Sequence, residues 1–380
     1  MLRSLFKHLV DSLISLECRY FTRRERSTEQ RLLIFRKDGM GDFIIFYPFL
    51  KYYRAHFKDY RISFVLPTVA RDLKPLLTMV DEVIEFDAKQ FSGNFWYRRA
   101  FIKNLVRQNF AVAIYPVFSR EPMGDLIIKL TGAPVRIGFA KNSKDRKFYT
   151  DTFALPEDGR PEIDRDAAFT EHVIGRTPPV TFPTIDPSLF DPAPARQLAE
   201  QYHLIPDRYA IIFIGASVRY RIWPEDRFAR IADYFVSQGI TPVVAGGPND
   251  RALAATVIRH MADPKKGVDL SGQTRLGDLA HLLVHSRLYF GNDTGALHLA
   301  AALNVPAVCL SGGGVFGRFF PYGDLRRNRQ AFDPNMTCKN DLWACGLRCL
   351  GDERAPCIMG ISVENALGVT KDLLASLPTP

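Results

Sequence analysis

The 380-residue chain is too long for one ordinary hydrophobic core and long enough for two. With 47% hydrophobic and 24% charged residues it has a globular composition, which excludes an intrinsically disordered chain. Its net charge of +9 is concentrated, because between Lys89 and Tyr149 twelve Lys or Arg stand against Glu121, Asp125 and Asp145.

Met1–Leu16 places Leu2, Leu5, Phe6, Leu9, Leu13 and Ile14 at helical spacing, with Arg19, Arg23, Arg24 and Arg26 beyond. An amphipathic helix lying in a membrane interface fits this pattern, and so does an extra helix packed on the body. Met1–Thr22 lacks the apolar core and small-residue cleavage site of a signal peptide. No apolar run reaches the ~18 residues of a membrane span, so a cytoplasmic location is expected.

Arg31–Phe35 reads as a short strand and Phe43–Tyr53, with Pro48 inside it, as a helix. The loop between them, Arg36-Lys37-Asp38-Gly39-Met40-Gly41-Asp42, does not have the GxGxxG spacing of a dinucleotide site. Asp42 stands where this loop meets the helix. In doubly wound folds that point faces the crevice at the carboxyl ends of the strands, where a carboxylate can take a proton from a bound hydroxyl. A helix N-cap is the structural alternative. Further strands are predicted at Ile62–Leu66, Glu82–Phe86, Ala111–Tyr115 and Val135–Gly138, with helical patterns such as Tyr97–Gln108 between them. This alternation implies a parallel sheet covered on both faces. The basic segment Lys89–Tyr149 can attract nucleic acid, an anionic membrane or a phosphorylated glycolipid, although a solvated surface is the commoner use of any single lysine. No helix-turn-helix, RNP or zinc-finger pattern supports nucleic acid.

The proline-dense stretch Gly175–Pro194 reads as a linker. A second domain opens with the strand Tyr209–Ile214, the loop Gly215–Trp223 and a helix from Pro224 through Ser237. Arg219 and Arg221 on that loop match phosphate oxygens bidentately and are candidate phosphate clamps. After the strand Thr241–Ala245, the turn Gly246-Gly247-Pro248-Asn249-Asp250 presents an acidic residue that can bind ribose hydroxyls or cap a helix. His281 and His285 are four apart, but their apolar neighbours favour packing over a shared metal.

The strand Leu288–Phe290 ends at Gly291-Asn292-Asp293-Thr294-Gly295, and a helix carrying Leu297, His298, Leu299 and Leu303 follows before a strand from Ala307. Asp293 or Thr294 can cap that helix, and Gly295 allows close approach of a ligand. The helix N-terminus is then an anion site suited to a diphosphate, with His298 one turn in as a further donor. A capped helix that binds nothing is the alternative. Cys338, Cys345, Cys349 and Cys357 lack CxxC spacing, which leaves a metal, reduced thiols and redox pairing all open.

Taken together, Arg36-x-x-Gly39-Met40-Gly41-Asp42 with Pro48, Arg221-Ile222-Trp223-Pro224, Gly246-Gly247-Pro248-x-Asp250 and Gly291-Asn292-Asp293-Thr294-Gly295-x-x-His298-Leu299-Ala300-Ala301 resemble glycosyltransferase family 9. These are the ADP-heptose:lipopolysaccharide heptosyltransferases. The resemblance implies a GT-B fold, α/β, with two Rossmann-like doubly wound domains facing a central cleft. On this basis residues 1–30 form a basic N-terminal extension, 31–178 the acceptor domain, 179–360 the nucleotide-sugar domain and 361–380 a C-terminal helix.

By position, Asp42 matches the family's proposed base, and Asp250 the acidic residue on the ribose. Asp293, Thr294, Gly295 and His298 match the donor loop. Arg221 stands where many members have lysine, and Ala296 where many have proline. With Arg219 these complete the expected donor site, and Arg36, Lys37 and Arg120 are assigned to the acceptor. The expected activity is inverting, metal-independent and cofactor-free transfer of heptose from ADP-heptose to a lipopolysaccharide core or related glycolipid. It would take place at the cytoplasmic face of the inner membrane, with no nucleic-acid partner. The alternatives are a related transferase using another nucleotide sugar for capsule, O-antigen or protein glycosylation, and a non-catalytic sugar-nucleotide-binding protein.

Overall fold

In this computed structural model the described residues are 29–378, apart from 120, 141–142, 155–158, 180–181, 337 and 339–353. The expected N-terminal helix, Arg120, Cys18, Cys345 and Cys349 lie outside them. The described residues form two compact units. One lies within Met1–Pro156 and Asp164–Thr181, the other within Glu157–Ile163 and Phe182–Pro380.

The first unit is built on β1 (Arg31–Phe35), β2 (Arg61–Pro67), β3 (Glu82–Phe86), β4 (Val112–Tyr115), β5 (Val135–Phe139) and β6 (Asp151–Phe153), in the order β3-β2-β1-β4-β5-β6. Every pairing is parallel. A central parallel strand has helices on both faces, which explains why Leu32, Leu33, Ile34 and Phe35 form an unbroken apolar run with all four fully buried. On one face Phe35 meets Phe86 and Tyr115 edge-on, each at 5.5 Å, and the helix Phe95–Arg107 lays Phe101, Ile102 and Leu105 over them.

The second unit repeats the plan with β7 (Tyr209–Phe213), β8 (Thr241–Ala245), β9 (Val268–Asp269), β10 (Tyr289–Asn292), β11 (Ala307–Leu310) and β12 (Asn328–Ala331), in the order β12-β11-β10-β7-β8-β9. These pairings are parallel too. Its core joins Trp223, Phe228 and Phe290, and the helix Val363–Ser376 closes it with Ala366 and Leu373.

In both sheets the strand order reverses beside the first strand, between β1 and β4 and between β7 and β10. Open α/β sheets bind ligands beyond the carboxyl ends of the strands at that reversal. The loops placed there include those that follow β1, β7 and β10, which carry Asp42, the two arginines and Asp293.

Three details differ from the sequence reading. Pro48 lacks an N–H, and the expected helix is split into Met40–Phe46 and Leu50–His56 by a 3-10 turn at Tyr47–Phe49. β6, β9 and β12 were not foreseen; each is a short edge strand with polar residues in it. Gly291 and Asn292 belong to β10 rather than to the loop after it. Gly291 pairs with Phe213, and a Cβ on it would lie 2.4 Å from the Phe213 carbonyl oxygen, so only glycine fits this register.

Candidate active site

At the β7/β10 reversal the organising side chain is Asn292, which is fully buried. Its Nδ2 donates to the Ile214 carbonyl at 2.8 Å, and its Oδ1 accepts from the Trp223 N–H at 3.2 Å. Both ends of the Gly215–Trp223 loop are thereby pinned to the residue that precedes Asp293. Trp223 is anchored in turn, because its indole Nε1 donates to the Ile361 carbonyl at 3.0 Å. The sequence gives no local hint of this arrangement, since an asparagine in a Gly-Asn-Asp turn reads as turn chemistry.

On the tethered loop, Arg219 is exposed and Arg221 half-buried, both in the 3-10 turn Arg219–Arg221. Among the described residues neither guanidinium has a carboxylate partner. The helix Gly295–Ala302 starts at Thr294, which stands in the N-cap position with extended backbone and makes no side-chain cap bond. The Thr294 hydroxyl is buried beside the Tyr289 phenol, which donates to the Asn292 carbonyl at 3.2 Å. The first amides of an α-helix have no intrahelical acceptor, so this start offers donors and a positive dipole end.

Beside it, Asp293 Oδ1 lies 3.6 Å from His298 Nε2. The other ring nitrogen, Nδ1, is 3.2 Å from the Tyr322 hydroxyl, and the two rings stack at 5.8 Å. Burial, with the charge of Asp293 adding to it, pushes the Tyr322 phenol well above its ordinary pKa, so it stays neutral. Tyr322 thus fixes the imidazole from a position 24 residues away in sequence, which no motif could show.

Asp250 sits in the turn after β8. Its Oδ2 accepts from the Gly247 N–H at 2.7 Å, at the start of the 3-10 turn Pro248–Asp250. A Cβ on Gly215 would lie 2.3 Å from that oxygen, and one on Gly246 2.8 Å. The carboxylate is therefore nested among glycines from two loops, and at the N-cap position of the helix Arg251–His260, the rival role foreseen for it, it makes no side-chain cap bond.

At the β1/β4 reversal, Asp42 is the third residue of the helix Met40–Phe46 and is half-buried. Its Oδ2 is folded back towards the helix start, 3.3 Å from where a Gly39 Cβ would be. Arg36 is enclosed, at 1% exposure. Its Nε donates to Asp38 at 3.0 Å, Nη1 is 3.6 Å from Asp166, and the guanidinium lies over the Phe46 ring at 4.4 Å. Burial alone would lower its pKa, but Asp38 and Asp166, with a smaller contribution from Asp42, raise it instead. Its charge is taken up inside the unit, which suits holding the loop in shape more than meeting an acceptor. Lys37 pairs with Glu121 at 2.5 Å, where Glu121 is 63% exposed and so can be exchanged for another anion.

The family model of glycosyltransferase family 9 (heptosyltransferase) matches residues 98–342, well over half of the chain. The chain belongs to this family. Lipopolysaccharide heptosyltransferase 3 of Escherichia coli K12 is 30% identical over 109 residues, which are 28% of this chain and 32% of that one. The chain thus matches only about a third of the length of this curated relative. Among solved structures, the family 9 glycosyl transferase of Veillonella parvula superposes with a TM-score of 0.71 at 21% identity, covering 93% of this chain and all of that one. The ADP-heptose heptosyltransferase II of E. coli gives 0.70 at 19%, covering 91% and 99%. These likenesses carry the fold, which is the GT-B architecture of two Rossmann-like units expected of family 9.

His281, set aside as a metal ligand, has its Nε2 3.0 Å from the Phe190 carbonyl and packs structurally.

Proposed function

We propose that this family 9 protein transfers a heptose from ADP-heptose to a lipopolysaccharide-core or related lipid-linked acceptor, with inversion at the anomeric carbon. The observation that carries the reading is the β7/β10 edge. Two guanidinium groups without carboxylate partners among the described residues and a helix start whose N-cap Thr294 makes no side-chain cap bond gather on loops tied together by Asn292. This set of donors suits a diphosphate.

In the proposed reaction the donor diphosphate lies against the Thr294–Gly295 helix start and Arg221, with Arg219 at the exposed end. Asp42 takes the proton of the acceptor hydroxyl as that oxygen attacks C1 from the face opposite ADP. Negative charge then accumulates on the departing diphosphate, and Arg221 with the helix amides stabilises it, so the step calls for no divalent ion or further cofactor. Asp293 and Tyr322 hold His298 in one orientation as a donor-site contact. Arg36 keeps the Asp42 loop in shape, while Lys37 and the basic segment draw in the acceptor's anionic groups from the cytoplasmic membrane face.

The test is transfer from ADP-heptose to truncated lipopolysaccharide acceptors, run beside calorimetric titration with ADP. Transfer and ADP binding support the reading. ADP binding without transfer to any such acceptor would leave a sugar-nucleotide-binding protein. A second reading follows from Arg221, whose fork is bulkier than the lysine common in relatives and can select another nucleotide sugar. A thermal-shift screen of ADP-, GDP- and UDP-sugars separates the two.

A further inference from the structure

One element of the first unit has a surface that its fold does not use. Directly after β3, the helices Ala88–Gly93 and Phe95–Arg107 form an elbow. The elbow is fixed at every joint. Asp87 caps the first helix through the Gln90 N–H at 2.9 Å, and Asn94 caps the second through the Trp96 and Tyr97 N–H groups at 3.0 and 3.2 Å. The Tyr97 hydroxyl accepts from the Asp87 N–H at 2.8 Å, and Phe91 is buried in the core.

From this rigid mount Trp96 projects at 72% exposure and Phe95 at 39%, with their rings 5.2 Å apart. A frayed loop exposes aromatics by default, but a doubly capped elbow holds them out in one place. Val69, 77% exposed, follows the neighbouring strand β2 at the same sheet edge. The helical residues 88–107 are basic, with Lys89, Arg98, Arg99, Lys103 and Arg107 and no acidic residue; of these Lys89 is exposed and Arg98 buried, while Glu85 and Asp87 precede them.

We propose that the elbow 87–97 is a membrane-interface anchor, with Phe95 and Trp96 entering the headgroup region of an anionic bilayer while the exposed Lys89 of the same elbow faces its phosphates. Tryptophan prefers that depth because its ring is apolar and its N–H is not. Aromatic insertion and basic attraction together give the two signals that stable but reversible binding requires. The inference rests on the proposed transferase reading, in which the acceptor is lipid-linked, and it names the part of the chain that reaches the lipid.

The test uses the full chain with Trp343→Phe, which leaves emission from Trp96 and the buried Trp223. It is mixed with vesicles of phosphatidylcholine alone, or of phosphatidylcholine with about 30% phosphatidylglycerol. The anionic vesicles should shift Trp96 emission to the blue, and lipids brominated near the headgroup boundary should quench it. The double variant F95S/W96S, in the otherwise native chain, should sediment with anionic vesicles about tenfold less while keeping its Tm and ADP affinity. Undiminished sedimentation of that variant overturns the proposal, as does Trp96 emission that vesicles leave unmoved. A blue shift with a soluble, delipidated acceptor but not with vesicles also overturns it and makes the pair a sugar-stacking platform. Absence of transfer to every acceptor, with Trp96 still entering lipid, removes the transferase reading and leaves the anchor standing.

Discussion

Asn292 accepts a hydrogen bond from the Trp223 N–H at 3.2 Å and donates one to the Ile214 carbonyl at 2.8 Å, so one amide holds the arginine loop and the helix start in register. Asn292→Ala would leave a buried N–H and a buried carbonyl without partners. We expect a loss of about 2–4 kcal/mol in urea unfolding. ADP affinity should fall with it, even though Asn292 need not touch the nucleotide.

The loop it holds gives the second prediction. Arg221→Ala should lower kcat/KM for the donor about 10- to 100-fold, the worth of a charge-assisted pair to a phosphate. Arg221→Lys should recover part of this, and Arg219→Ala should cost less because Arg219 is the more exposed. Steady-state kinetics with the donor varied would show whether the ranking holds.

Asp42→Asn removes the proposed base without changing the size of the side chain. Turnover should fall by roughly 10²–10⁴ while ADP affinity and Tm stay near wild type. A few-fold change in turnover would take the base role away from Asp42.

Two glycines should respond in opposite directions. Gly291→Ala sets a Cβ 2.4 Å from the Phe213 backbone oxygen, and neither strand can yield without breaking the sheet. We expect a loss above about 3 kcal/mol, or failure to fold. Gly368 lies exposed within the helix Val363–Ser376 with nothing within 4 Å of its Cβ position, so Gly368→Ala should raise stability by about 0.5–1 kcal/mol. Thermal unfolding would read both.

Asp81 supplies a pH test. Burial pushes its pKa up, but the Ile62 N–H at 2.7 Å and Arg54 at 2.5 Å outweigh this and hold it below the ordinary value. A depressed folded pKa means that the stabilisation is complete above the unfolded pKa and is lost as pH falls through the folded one. Asp81→Asn should therefore be less stable than wild type at pH 7, and the gap should close as the solution is taken below about pH 4. Denaturant midpoints across that range would follow it.

The central strands could be read because each is a fully apolar run, as in Leu32–Phe35, and the sheet order buries such runs on both faces. Edge strands such as Asn328–Ala331 carry no such signal, since one side of each is unpaired and here the polar Arg329 and Gln330 stay only partly buried. Asp42, Asp250 and Asp293 could be named from turn chemistry because the glycines around them are local. Tyr322, Asp166 and the role of Asn292 could not, since they act through contacts made only when distant segments fold together.

The glycine nest around Asp250 divides the second unit's loops into a part open to redesign and a part closed to it. A Cβ on Gly215 or Gly246 would run into that carboxylate, so neither glycine can be exchanged while Asp250 keeps its place. Arg219 and Arg221 stand on the same loop as Gly215 but face more open surroundings. A library meant to retarget nucleotide choice would thus meet no steric bar on the arginine loop, only the loss of the proposed phosphate contacts, whereas Gly215 and Gly246 would have to be varied together with Asp250.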